Sequence, residues 1–264
     1  MKEQKLLKGI WKGIIAMFLL LPLLVTVIYS FAERWIYILP EGFTLKYYIQ
    51  TLTNEKFLMG ILRGLIISII PVVITNVCIL LALYLVIVYV PDLEKVVQIF
   101  CLIPSTVNGI ILATSVLATY SGSNTIFANR IVMLCLKYCV FVMPMTYQGI
   151  RNSLYSVNTL GLLEAAEMLG SKKFHSFVTI VVPAILPGLF NSALMTLSGL
   201  FGDFAIIKII ASSQYETAQS YLYRNRNTDA QALSASIVIL LIITLAINYT
   251  VHRSQHNKKG KRKA

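Results

Sequence analysis

Glu164-Ala165-Ala166-Glu167-Met168-Leu169-Gly170, nine further residues, then Ile180-Val181-Val182-Pro183: this polar interruption between two long apolar blocks decides how the chain is read. From Val157 to Leu169 apolar residues recur at helical spacing, through Leu160, Leu163, Ala166 or Glu167, and Leu169 or Gly170, which predicts a short helix. Gly170 suits a left-handed helix end. Ser171 is then placed to cap a second helix from Lys172 onward, running into the next apolar block. Ala165 and Ala166 keep one stretch of the first helix thin, so that a groove on another protein can close around it. Two helices joined by a tight turn make a stiff knob, and a stiff knob transmits force where a floppy loop absorbs it.

The apolar blocks set the class. The chain is 57% hydrophobic and only 13% charged, with a mean hydropathy of +0.74, far from soluble averages. Charge-free runs cover Gly13–Ala32, Gly64–Pro91, Val96–Asn129, Ser176–Gly202 and Ala230–Val251, and Ile131–Ile150 holds a single charge, Lys137. Each is at least about 20 residues, the length a helix needs to cross roughly 30 Å of hydrocarbon. The expectation is an all-α polytopic membrane protein forming a single transmembrane domain. Its six transmembrane helices fall near 11–32, 62–90, 96–119, 131–150, 177–205 and 230–251, with the polar loop at about 152–176.

The net charge of +12 would fit a nucleic-acid partner, but its distribution argues for topology instead. Six of the 23 Lys and Arg lie in the tail from Arg253 to Lys263, and Lys2, Lys5 and Lys8 precede the first span. With Lys95, Arg151, Lys172 and Lys173, thirteen basic residues lie on the side shared by both termini, against seven in the opposite loops. The positive-inside rule then puts both termini in the cytoplasm, with the basic tail as a topology anchor or a contact for anionic lipid. No nucleic-acid partner is expected. Cys78, Cys101, Cys135 and Cys139 all fall in apolar runs and read as small buried hydrophobes. No metal site is expected, although Cys135 and Cys139 are one helical turn apart. The first apolar run is too long for a signal peptide, and no small-residue cleavage site follows it.

Several loops and breaks carry further expectations. Phe43–Leu52, after the turn Pro40-Glu41-Gly42, reads as a short amphipathic helix at the outer headgroup level. Pro71, Pro144, Pro183 and Pro187 interrupt spans. Pro104-Ser105-Thr106-Val107-Asn108-Gly109 combines a helix breaker with hydroxyls, an amide and a glycine. Such a stretch faces the bundle interior or an aqueous path, or it is a packed kink at a helix–helix contact. Charges within spans are costly and call for a functional reading. Lys137 and Asp203, near the outer ends of spans four and five, pair across the bundle or line an outward vestibule, or Lys137 snorkels to the headgroups. Asn76, Asn108 and Asn191 are further interior candidates, equally suited to holding helices together. The outer loop Lys208–Asp229, with Tyr215, Tyr221, Tyr223, Arg224 and Arg226, is solvated or touches an outer partner.

The opening stretch closely resembles the EAA loop of ABC-importer permeases: Glu-Ala-Ala, three residues, Gly, nine residues, Ile, one residue, Leu-Pro, with Val182 here in place of the leucine. Six matched positions at roughly 5–8% each give a chance match on the order of 10⁻⁷ per window. The resemblance covers nearly the whole chain: six spans, an outer amphipathic segment after the first, and the loop between the fourth and fifth. It implies the type I importer permease fold in a bacterial cytoplasmic membrane. By motif position it places Glu164, Ala165, Ala166 and Gly170 at the joint with a cytoplasmic ATPase, with Ile180 and Pro183 opening the next span. Asn108, Lys137 and Asp203 are the candidates for the translocation path. The implied partners are a pair of ATPase subunits, a second permease similar or identical to this one, and an extracytoplasmic solute-binding protein. The nearest group handles spermidine and putrescine, ferric iron or 2-aminoethylphosphonate, and Phe201-Gly202-Asp203-Phe204 looks like a pattern of the iron and phosphonate members.

The chain holds no Gly-x-x-x-x-Gly-Lys-Ser/Thr phosphate loop and no set of nucleophile, base and orienting group. It is therefore expected to be non-catalytic, with no cofactor of its own; ATP and Mg²⁺ belong to the partner ATPase. The competing readings are a self-contained channel or an ion-driven transporter, either of which would work without an ATPase, and a membrane-embedded enzyme, which the missing catalytic set disfavours.

Overall fold

Five uninterrupted helical stretches in the computed structural model are long and apolar enough to cross a membrane, and a sixth crossing is broken in two. The structure describes residues 2–35, 40–122, 124–211, 214–227 and 229–261, and the side chains of 2–10 and 251–261 are outside that description. The expected anchoring role of the basic tail Arg253–Lys263 falls outside the described residues.

Helix α1 (Lys2–Phe31) leads into a two-stranded antiparallel hairpin, β1 (Ala32–Arg34) with β2 (Glu41–Phe43), pairing Ala32 with Phe43. Phe43 was expected in the amphipathic helix. It lies in β2 instead, its ring stacked on Phe31 at 5.2 Å, and the helix that follows, α2, covers only Lys46–Leu52. Helix α3 (Glu55–Tyr89) starts seven residues before the expected span, because Asn54 caps it by accepting from Phe57 N. From Trp11 to Leu24 the apolar side chains of α1 are exposed, as suits a helix that meets lipid.

The third crossing is not the straight helix expected over 96–119. It runs as α4 (Glu94–Leu102), a 3₁₀ turn (Ile103–Thr106) and α5 (Gly109–Tyr120), with a bend of 94° between the halves. Pro104 lies in the first turn of the 3₁₀ segment, Val107 is extended, and Asn108 restarts the helix by accepting from Ile110 N at 2.9 Å. The break thus follows from a missing donor on one side and a strong N-cap on the other.

Helix α6 (Arg130–Ser156) is the centre of the bundle, packed on α3 and on α9 (Val182–Phe201). Gly149 permits the α6–α9 approach: a Cβ there would sit 2.4 Å from Ser192 Cβ. Between α6 and α9 lie α7 (Thr159–Met168), α8 (Lys173–Ser176) and a π turn, Phe177–Val181. Pro183 sits at the start of α9 and cannot donate to the preceding turn, which accounts for the widened turn before it. α9 ends at Phe201, short of the expected 205. Then follow α10 (Ala205–Ala211), α11 (Ala218–Arg224) and α12 (Ala230–Lys261).

The buried core has two main parts. One, with Ile67, Leu134, Tyr138, Leu200 and Ile207, fills the end of the bundle near α10. The other, with Leu83, Tyr84, Tyr147, Ile150, Leu154, Phe177 and Ile185, fills the opposite end and also includes Leu163 of α7.

Candidate functional site

Helix α7 begins after Asn158, a non-glycine residue in the left-handed region at φ 50°. Its Thr159, Leu163 and Ala166 are buried, one face at helical spacing turned into the bundle. Thr159 donates to Leu154 O at 2.7 Å, fastening the new helix to the end of α6. The opposite face carries Leu160, Glu164 and Met168. Glu164 is exposed and makes no ion pair among the described residues.

The C-terminus of α7 closes as a Schellman turn. Ser171 N donates to Ala166 O at 3.1 Å and Gly170 N to Glu167 O at 2.9 Å, with Gly170 at φ +84°. The left-handed glycine end is as expected. Two other expectations are corrected. Ala166 is only 5% exposed and packs into the chain itself, so only Ala165 of the pair faces out. Ser171 does not cap α8: Lys172 holds that position, and the Ser171 hydroxyl accepts from Ser176 Oγ at 2.7 Å. The residues of this site that sequence reasoning missed are Met168 and Leu169, 90% and 89% exposed at the tip. An apolar pair immediately before a left-handed glycine was the signal available, since such a turn must project.

The knob is seated on α3 and on the end of α6, which is itself tied to α4. Phe174 and Phe177 pack on Tyr84 of α3 at ring distances of 5.6 and 4.5 Å. Glu94 at the start of α4 accepts from Arg151 Nε at 2.7 Å and from Tyr155 Oη at 2.6 Å, both on the last turns of α6. Lys173 reaches Glu167 at 3.5 Å across the turn, an exposed pair of small energetic weight. Ile180 lies in the π turn and Pro183 opens α9; both are exposed. The helical stretch Lys173–Phe201 runs through both without a break.

The three candidates for the path gather around the break in the third crossing. Asn108 is the N-cap of α5. Lys137 is 2% exposed, so it does not snorkel; its Nζ lies 4.3 Å from the Phe141 ring centroid, 5.5 Å from that of Tyr138, and close to Gly109. Asp203 forms no ion pair with Lys137. Its Oδ2 accepts from Tyr138 Oη at 3.2 Å and its Oδ1 from Ile206 N at 3.3 Å, so the carboxylate caps α10. Asn76 donates to Val72 O, within its own helix.

At the same end, basic side chains rest on aromatic rings. Lys208 Nζ is 3.8 Å from the Tyr223 ring centroid and Arg226 4.3 Å from it, and Arg63 faces Tyr215 at 6.0 Å. A hydrogen bond from Lys208, with the charges of Arg226 and Lys208, holds the exposed Tyr223 phenol below its ordinary range. Tyr221 accepts from Asn54 Nδ2, and Arg224 pairs with Glu216 at 3.3 Å, so part of the outer loop is tied down rather than freely solvated. Among the described residues no three His, Cys, Asp or Glu are grouped to hold a metal ion.

Residues 1–257 match the family described as the binding-protein-dependent transport system inner membrane component, and the chain belongs to that family. It is thus a permease component of an ABC importer, a transmembrane subunit and not a catalyst. It is 20% identical over 240 residues, 89% of either chain, to PhnV of Salmonella typhi and of Salmonella typhimurium, each provisionally named as a 2-aminoethylphosphonate transport system permease protein. Its fold is shared with a bacterial ABC transporter involved in importing the acidic polysaccharide alginate, at TM-score 0.71, 14% identity and 96% coverage of each chain. It is also shared with the inward-facing MetNI methionine ABC transporter, at TM-score 0.61 and 19% identity, over 75% of this chain and 93% of that one.

Proposed function

We propose that this chain forms one half of the translocation path of a bacterial importer, and that α7 is the joint at which a separate ATPase drives it. One observation carries the reading: the inward face of α7 belongs to the same core as α3, α6 and α9, while its outward face offers Glu164, Met168 and Leu169. A partner gripping that face moves the bundle rather than the loop. The joint comprises Glu164, Ala165 and Gly170, with Ala166 as the buried pivot and Ile180 and Pro183 relaying motion into α9.

Both termini and the knob lie on the cytoplasmic side. Two ATPase subunits dock there, one on this chain and one on a second permease, similar or identical, and they bind the ATP and Mg²⁺. A solute-binding protein delivers cargo at the end occupied by α10 and α11. ATP shifts the path between inward and outward states only if it binds the two with different affinity. Of polyamine, ferric iron and phosphonate, phosphonate is the cargo we favour. The names of the Salmonella relatives support it, as does the buried amine of Lys137 beside the break.

The test is affinity co-purification of the intact chain from its native membrane, against the Glu164→Arg and Gly170→Pro variants. A P-loop ATPase should accompany the native chain and be lost from both variants while they remain inserted. A native chain that brings down no ATPase, under conditions that keep membrane complexes intact, overturns the reading.

A further inference from the structure

Lys137 has no direct partner for its charge among the described residues, and the Asp203 carboxylate acts on it only through space. Its Nζ is buried and has no hydrogen-bond partner, and it enters no ion pair among the described residues. The nearest acid is already engaged: Asp203 holds the Tyr138 hydroxyl and the backbone amide of Ile206. A buried, unpaired ammonium is costly, and within a span it is the kind of group kept for function. A second positive feature converges on it. A Cβ built on Gly109, the first residue of the 12-residue helix α5, would lie 3.5 Å from the amine. The N-terminus of a helix carries partial positive charge and free amides, and in discontinuous membrane helices that end binds anionic groups. Asn108 satisfies Ile110 N but brings no negative charge to the site.

One neighbour of the amine is an aromatic ring that is itself partly exposed. Phe141, one turn along α6, lays its ring 4.3 Å from the amine and is itself 45% exposed. On the other side a cleft of about 200 Å³ between α5 and α6 runs past Leu112, Val116 and Leu136 to Lys137. Rotating the Phe141 ring, or opening the break at Asn108–Gly109, exposes the ammonium and the helix end together.

We infer that Lys137 and the N-terminus of α5 form an oxyanion-recognition point on the translocation path, taking a phosphonate or carboxylate group of the cargo, with Phe141 as its movable cover. The inference rests on the permease reading above. It says where the anionic end of the cargo pauses, at a place where the third crossing is broken and a buried amine has no hydrogen-bond partner.

The test uses the full chain in right-side-out membrane vesicles, with Cys78, Cys101, Cys135 and Cys139 replaced by Ala. Phe141→Cys puts a thiol where the cover was, and Leu136→Cys puts one in the cleft wall, so that a folding failure of one leaves the other. Each is reacted with a sulfonate-bearing and with a trimethylammonium-bearing methanethiosulfonate, with and without the drive for transport. The anionic reagent should react faster by about tenfold, an effect expected of one unpaired charge at this range. Lys137→Gln should abolish the preference and Lys137→Arg keep it. Equal rates, a preference that survives Lys137→Gln, or no reaction at either thiol in any state overturns the inference. Such a failure with the ATPase still co-purifying leaves the permease reading standing. An anion preference without a co-purifying ATPase does the reverse.

Discussion

Arg151 Nε lies 2.7 Å from Glu94 Oε1, and this contact ties the start of the broken third crossing to the foot of the helix that carries the knob. Tyr155 adds a second donor to the same carboxylate, and the Arg151 guanidinium stacks 4.8 Å from the Tyr155 ring centroid. The three side chains couple α4 and α6 just where force from α7 would enter. Because both charges are partly exposed, the cluster contributes only about 1 kcal/mol to stability, so its value lies in registering one helix against the other. Arg151→Ala is expected to leave the chain inserted and the ATPase bound, while uptake falls several-fold. Arg151→Lys should not rescue, since an ammonium cannot reproduce the Nε geometry. Uptake measured beside co-purification checks both, and parallel loss of the two would place Arg151 in docking rather than in transmission.

The turn at Gly170 has open space around it, so any substitution there acts through the backbone alone. A left-handed residue with a side chain costs about 1–2 kcal/mol, and Asn bears that cost best. Gly170→Ala should therefore weaken ATPase capture, Gly170→Asn should weaken it less, and Gly170→Pro should weaken it most, because Pro also removes the amide that donates to Glu167 O. Titrating the ATPase against the chain in detergent gives the order. Equal capture by Gly170→Ala and Gly170→Pro would show that the turn is not what presents the joint.

Much of this was legible in the sequence, and the exceptions have physical causes. Charge-free runs reveal which stretches are apolar. They do not say whether a stretch is one helix, because Val96–Asn129 reads the same whether straight or bent by 94°. Pro104 and Asn108 supplied the clue, since a breaker followed four residues later by an N-cap permits two helices where one was expected. Lys137 lies in the expected span, buried rather than snorkelling and without a direct ion pair to Asp203. Sequence spacing cannot show that Tyr138, its immediate neighbour, takes the hydrogen bond to the Asp203 carboxylate while the amine makes none. At the knob, Glu164 and Gly170 followed from the motif and the helical period. The inward turn of Ala166 depends on the core beneath it, which only the fold supplies.

Gly149 and Ser192 mark a close approach of α6 and α9. A Cβ at 149 would meet Ser192 Cβ at 2.4 Å, far inside contact distance, and Ser192 is itself buried. Overpacking of this kind costs about 1–3 kcal/mol. Gly149→Ala should lower the thermal midpoint of the purified chain, and adding Ser192→Gly should recover most of the loss. If the double variant is no more stable than the single one, the helices are held apart by some other contact.

Leu169 offers the sharpest separation of docking from folding. At 89% exposed it gives the fold almost nothing, so Leu169→Asp should leave the melting midpoint and membrane insertion unchanged. The same change puts a carboxylate where a partner's groove would desolvate an apolar side chain, and truncations at such buried interface anchors cost about 2 kcal/mol or more. ATPase capture is therefore expected to fall by about thirtyfold, with Leu163→Asp as the contrasting case. Leu163 belongs to the inner core, so its replacement should destabilise the chain before any partner is added. Measuring melting and capture on the same preparations distinguishes the two faces of α7. Unchanged capture by Leu169→Asp would mean that the exposed tip is not the surface the motor holds.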